Sequence, residues 1–156
     1  PITYGIAVRK LQMNKSDEEK EADLQNIPDP LKRQARKETM EKGIDAPIVM
    51  NSLKKAGEFL DQLESNIEGS GWIAGDKFSM ADACTLPYIQ RLDHLALSEA
   101  FNEEKRPKIN KWYKKVKDLD FFDKAVTSQI PPPLVEMMNT FGEEVKEKAL
   151  NLMEEN

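Results

Sequence analysis

The sequence is poor in the residues that most often carry chemistry. Among 156 residues there is one cysteine, Cys84, and one histidine, His94. A single cysteine excludes an internal disulfide and fits a reducing compartment. A lone histidine with no partners at ligand spacing gives no basis for a zinc site or a nucleophile–base pair, so no metal is expected. Aromatic residues make up only 7% of the chain, so a core must rest mainly on aliphatic side chains. No apolar run approaches the roughly 20 residues of a membrane span. Pro1-Ile2-Thr3-Tyr4 lacks the charged and apolar regions of a signal peptide. Positive charge is also in deficit, with 23 Lys and Arg against 28 Asp and Glu and a formal net charge of −5. That balance argues against nucleic acid and anionic membrane as partners, since both require phosphate neutralisation. A soluble cytoplasmic protein is expected.

The length suits one domain over residues 1–156, large enough to bury roughly 70% of its unfolded surface. Apolar residues recur at helical spacing along the chain, and no stretch alternates with the period of two that marks a half-buried strand. The first helix is expected from Ile2 to Met13, with Tyr4, Ala7, Val8 and Leu11 on one face, widened by Ile2, Ile6 and Met13. The charge-dense segment Lys15–Glu21 either continues it or loops out. Ile27-Pro28-Asp29-Pro30 breaks the chain, and a polar helix follows over Leu31–Lys42, closed by Gly43. The strongest pattern starts after Asp45, a candidate N-cap. Val49, Leu53, Ala56, Leu60, Leu63 and Ile67 form a narrow seam, ended by Gly69-Ser70-Gly71. Met80–Leu97 is apolar nearly all round, which suits the centre of a bundle, with Pro87 expected to kink it. Pro107 opens a helix striped by Ile109, Trp112, Val116 and Leu119. After Pro131-Pro132-Pro133 a last helix is expected, with Leu134, Met138, Phe141, Val145 and Leu152 on one face. The fold class is all-α, a helical bundle with a buried central helix.

Ser79 and Asp82 have the spacing of a capping box at the start of the central helix. The Ser79 hydroxyl can accept from the Asp82 N–H, and the Asp82 carboxylate can reach back to the Ser79 N–H. Phe78, just before the cap, should pack inward. Ser-x-x-Asp alone marks only a helix start, but its surroundings are specific. Trp72-Ile73-Ala74-Gly75-Asp76-Lys77-Phe78-Ser79-Met80-Ala81-Asp82-Ala83 resembles the signature segment of the glutathione S-transferase family's C-terminal all-helical domain. The likeness continues through Leu86-Pro87-Tyr88-Ile89-Gln90-Arg91-Leu92. Arg106-Pro107-Lys108-Ile109-Asn110-Lys111-Trp112 is similar to the start of that domain's next helix. Ile27-Pro28-Asp29-Pro30 and Lys42-Gly43-Ile44-Asp45-Ala46-Pro47 look most like the reductive dehalogenase and aryl-etherase branch. The family proline near the exit of the second of these helices is missing from Leu119-Asp120-Phe121-Phe122.

The resemblance implies a half-protein. In the family a thioredoxin-like half comes first, binds glutathione as cosubstrate and carries the thiol-activating residue. Residues 1–156 show no βαβ pattern, so that half is absent and the chain alone is expected to be inactive. The helical half forms the wall of the pocket for a hydrophobic electrophile, largely through its first helix. Tyr4 and Arg9 are therefore the candidate substrate-binding residues, and no catalytic residue is expected. A family homodimer pairs the thioredoxin-like half of one subunit with the helical half of the other. Without that half, the surface it covers should be exposed and apolar. Similar helical domains also serve as non-catalytic interaction modules in translation factors and aminoacyl-tRNA synthetase complexes, which is the alternative reading.

Each candidate also has a plainer explanation. An aromatic such as Tyr4 at a helix start is more often packing, and Arg9 beside Lys10 is more often a solvated charge. Cys84 sits on the helix that looks most buried, where a thiol is usually inert. His94 falls near a helix end as an ordinary polar residue. Asp17-Glu18-Glu19 lacks calcium-loop spacing and reads as a solvated face. Met137 and Met138 are better explained by core packing than by a binding groove.

Overall fold

The computed structural model describes residues 1–155, and every regular element among them is helical. The all-α architecture expected from the periodicity is what the chain adopts. The first helix differs from expectation in its face. A π-helical turn over Tyr4–Val8 runs into α1, Arg9–Met13. A π-turn holds an extra residue, so apolar positions assigned by 3.6-residue spacing drift off the core. Gly5, Ile6 and Ala7 are buried, whereas Leu11 and Met13 are 49% and 56% exposed.

The charge-dense segment is a separate helix, α2, Asp17–Gln25. Ser16 caps it reciprocally with Glu19: Glu19 N–H donates to Ser16 Oγ at 3.2 Å, and Ser16 N–H donates to Glu19 Oε2 at 2.8 Å. Asp17, Glu18 and Glu19 then lie in the first turn, where the helix dipole favours anions. α3, Pro30–Lys42, is capped by Asp29, and Gly43 ends it at a φ of 59°. Asp45 is not the cap of the long helix. It lies in a 3₁₀ turn, Gly43–Asp45, and pairs with Lys148. The helix α4, Pro47–Asn66, starts instead from Ala46, with Pro47 supplying its first turn at a φ already helical.

The seam of α4 forms as expected: Val49, Leu53, Leu60, Leu63 and Ile67 are all at most 5% exposed. Gly57, on the same face, was not singled out by hydrophobicity. It lies where α4 meets α9, Lys146–Glu154, so closely that a Cβ would run into the Met153 carbonyl oxygen. α5, Met80–His94, buries Asp82, Leu86, Ile89, Gln90 and Leu92. Burial holds for that face only. Met80 is 77% exposed, Tyr88 67%, and Cys84 and Pro87 lie on the same open side. The helix stops at Leu95 and the chain turns through Ala96 at a φ of 59°.

α6, Pro107–Lys117, buries Ile109, Trp112, Tyr113 and Val116. A short α7, Phe122–Ala125, leads to the proline run. The expected last helix is two helices, α8, Pro132–Glu143, and α9. They part near Gly142, whose backbone packs against the Leu95 carbonyl with no room for a Cβ. The break redirects the chain so that Ala149, Leu150, Leu152 and Met153 face the core. Met138 is 1% exposed and Met137 packs against the same core, so both are packing residues. No helix among the described residues is long and apolar enough to cross a membrane.

Candidate functional site

Asp82 has no exposed surface, and four donors converge on it. The Ser79 N–H and Oγ–H donate to Oδ2 at 2.9 and 2.7 Å. The Ile73 N–H and the Trp112 Nε1–H donate to Oδ1 at 3.1 and 2.8 Å. The capping box at Ser79 is thus half of a larger clamp. One carboxylate fastens the start of α5, the Trp72–Phe78 loop and the middle of α6. Burial alone would raise its pKa. The bonds from Ser79, Ile73 and Trp112 outweigh burial and hold it below the ordinary carboxylate range, so it stays ionised. Phe78 packs inward as expected, edge-on to Trp72 and Phe121 with ring centroids 5.7 and 5.3 Å away. The Trp112 contact is the part that sequence spacing missed. The available signal was chemical: a buried indole N–H needs an acceptor.

Tyr4 and Arg9 are not brought together on a common pocket. The Arg36 guanidinium lies 3.7 Å from the centroid of the Tyr4 ring. Arg9 reaches the C-terminal turn of α3, donating from Nε to the Met40 carbonyl at 3.2 Å and from Nη2 to the Glu41 carbonyl at 3.4 Å. Those carbonyls have no partner within the helix, and a cation there also meets the negative end of the dipole. Arg9 is therefore partly occupied in joining the first helix to α3. It also borders a cleft of about 420 Å³ with Gln12, Met13, Lys37, Met40 and Glu41.

The open side of α5 forms an apolar surface. Met80, Ala83, Cys84, Pro87 and Tyr88 share it, and Phe59 of α4 joins it with its ring centroid 6.0 Å from that of Tyr88. Cys84 is exposed here rather than buried, because the helix that carries it is covered on one flank only. His94 ends α5 with Nδ1 buried and unpartnered. Burial, then the charge of Arg91, lowers its pKa and keeps the imidazole neutral.

Comparison with known proteins identifies the family of the chain. The family model "Glutathione S-transferase, C-terminal domain" matches residues 13–120, a range that contains the Asp82 clamp but neither Tyr4 nor Arg9. The glutathione S-transferase TCHQD of Arabidopsis thaliana is 36% identical over 53 residues. That stretch covers 34% of this chain and 20% of the plant protein. No solved structure matches.

Proposed function

Because the chain belongs to the glutathione S-transferase C-terminal domain family, we propose that it is the helical, substrate-pocket half of a glutathione transferase. In this reading a thioredoxin-like half binds glutathione and activates its thiol, and the thiol proton leaves to base. The thiolate sulfur attacks an electrophilic carbon of a hydrophobic substrate. A C–S bond forms and the bond to the leaving group breaks, with halide or aryloxide departing. We place the substrate among aryl halides and ethers on the likeness of Ile27-Pro28-Asp29-Pro30 and Lys42–Pro47 to that branch. Tyr4 and Arg9 are substrate-side candidates on the first helix. Both already have intramolecular contacts, so they shape a wall more than they drive a reaction.

The observation that carries the reading is the open apolar face of α5. A helix whose other face is core, yet which exposes Met80, Cys84 and Tyr88 beside Phe59, has a contact surface in need of a cover. The thioredoxin-like half supplies that cover. The test places a thioredoxin-like glutathione-binding half before residue 1 and follows glutathione-dependent chloride release from a chlorinated aromatic. Release is expected, with Tyr88→Glu reducing it about tenfold at an unchanged urea midpoint, since Tyr88 is 67% exposed. Release that is indifferent to Tyr88→Glu would remove this face from the mechanism.

A further inference from the structure

A second concavity, of about 630 Å³, lies between the turn at residues 67–71 and α6. Lys108, Lys111 and Lys115 line it from α6 at spacings of three and four residues, which puts them on one face of the helix. Glu68 is the acid that lines it from the turn. Three cations against one anion is opposite in sign to the chain as a whole, whose formal charge is −5.

The fold accounts for other cations around α6 but not for all of these. Lys105, Arg106 and Lys114 pair with Glu154, Asp61 and Glu103. Lys115 is anchored: its ammonium donates to the Ser70 carbonyl at 3.0 Å and lies 3.8 Å from the centroid of the Trp72 ring. Lys108 and Lys111 are exposed and form no ion pair among the described residues. Lys108 is also the second residue of α6, where the helix dipole disfavours a cation. The helix N-terminus is itself closed, because the Lys108 and Ile109 N–H groups donate to the Glu64 carboxylate at 3.0 and 2.9 Å. What the cleft offers is the charge of Lys108 and Lys111 on one face of α6, beside the anchored Lys115, around a pocket of ligand size.

We propose that this cleft binds a small soluble phosphate-type polyanion, clasped by Lys108 and Lys111 against the anchored Lys115. Ammonium groups are compact point charges, suited to a small anion of high charge rather than to the flat, two-point recognition that selects arginine. Glu68 opposes the ligand and sets a threshold that a singly charged ion does not pass.

Both tryptophans of the chain report on the cleft. Trp112 lines it, and Trp72 lies beneath Lys115. The test is a titration of the purified chain with inorganic pyrophosphate, read by tryptophan fluorescence, against sodium chloride at matched ionic strength. A saturable response to pyrophosphate alone is expected. The double variant Lys108→Gln/Lys111→Gln should raise Kd about tenfold or more, and Glu68→Gln should lower it, both with unchanged thermal midpoints in ligand-free buffer. A response matched by chloride overturns the proposal, as does a double variant that binds like the wild type. Co-sedimentation with phosphatidylcholine vesicles containing phosphatidic acid separates a lipid headgroup from a soluble phosphate compound. Pelleting that the double variant abolishes would overturn the assignment of a soluble ligand.

Discussion

Asp82 binds by acceptor geometry rather than by chemistry, and its loss is felt at three places at once. Removing the carboxylate strands the Ile73 and Ser79 N–H groups and the Trp112 indole N–H. A buried donor left without a partner costs about 1–3 kcal/mol, whereas losing a simple helix cap costs about 1 kcal/mol. Asp82→Ala should therefore lower stability by about 3–5 kcal/mol in urea melts. Trp112→Phe keeps the ring buried and loses one bond, so about 1–2 kcal/mol is expected. Asp82→Asn should be milder than alanine, since one oxygen remains as an acceptor. Coincident midpoints for wild type and Asp82→Ala would show that the clamp does not hold the fold. The pH dependence follows from the lowered pKa. The folded chain keeps Asp82 ionised below the ordinary value of 3.8. Its contribution is complete above that value and is lost as pH falls through the lower folded value. The gap between wild type and Asp82→Asn should accordingly be full at neutral pH and close in strong acid. The sequence made half of this clamp legible, because Ser79 and Asp82 are one turn apart. Ile73 and Trp112 lie nine and thirty residues from Asp82. Spacing rules describe one helix at a time and cannot see a bond between two.

At the scale of elements, α4 and α6 were readable because each buries a single stripe against neighbours, so hydrophobicity and burial coincide. They part company elsewhere for identifiable reasons. The π-turn at Tyr4–Val8 shifts the phase of the first helix and carries Leu11 and Met13 outward. α5 is apolar on both sides, but composition cannot say which side has a neighbour. The last helix breaks near Gly142, where a close approach of backbones leaves no pattern in hydropathy. Gly57 is the sharpest case of this kind. In an isolated helix, Gly→Ala gains up to about 1 kcal/mol. Here the methyl would meet the Met153 carbonyl, and only movement of α9 against α4 could relieve it. Gly57→Ala should destabilise the chain by about 1–3 kcal/mol despite its better helix propensity. A rise in thermal midpoint for Gly57→Ala would contradict this packing.

For the whole molecule, the decisive feature is a complete core beside an uncovered apolar face. The core is anchored by Trp112, Phe101, Leu53, Leu60 and Ile89, all at most 2% exposed, so the chain needs no partner to bury its interior. The Met80–Tyr88 face with Phe59 is a different matter. With nothing to cover it, the purified chain should self-associate weakly. Sedimentation velocity should show an average mass rising with concentration, and Tyr88→Glu should reduce that rise. A clean monomer at high concentration would count against an exposed contact surface. The family was legible from Trp72–Ala83 and from the start of α6, since both segments serve the Asp82 clamp. The contacts of Tyr4 with Arg36 and of Arg9 with the end of α3 were not legible, because they join residues about thirty positions apart on different helices. The most direct measurement of the central claim is formation of the glutathione conjugate of a chlorinated aromatic by this chain alone. If residues 1–156 supply the substrate side and the thiol is activated by residues outside them, the progress curve should superimpose on that of the protein-free mixture. A rate that rises in proportion to protein concentration would contradict the account.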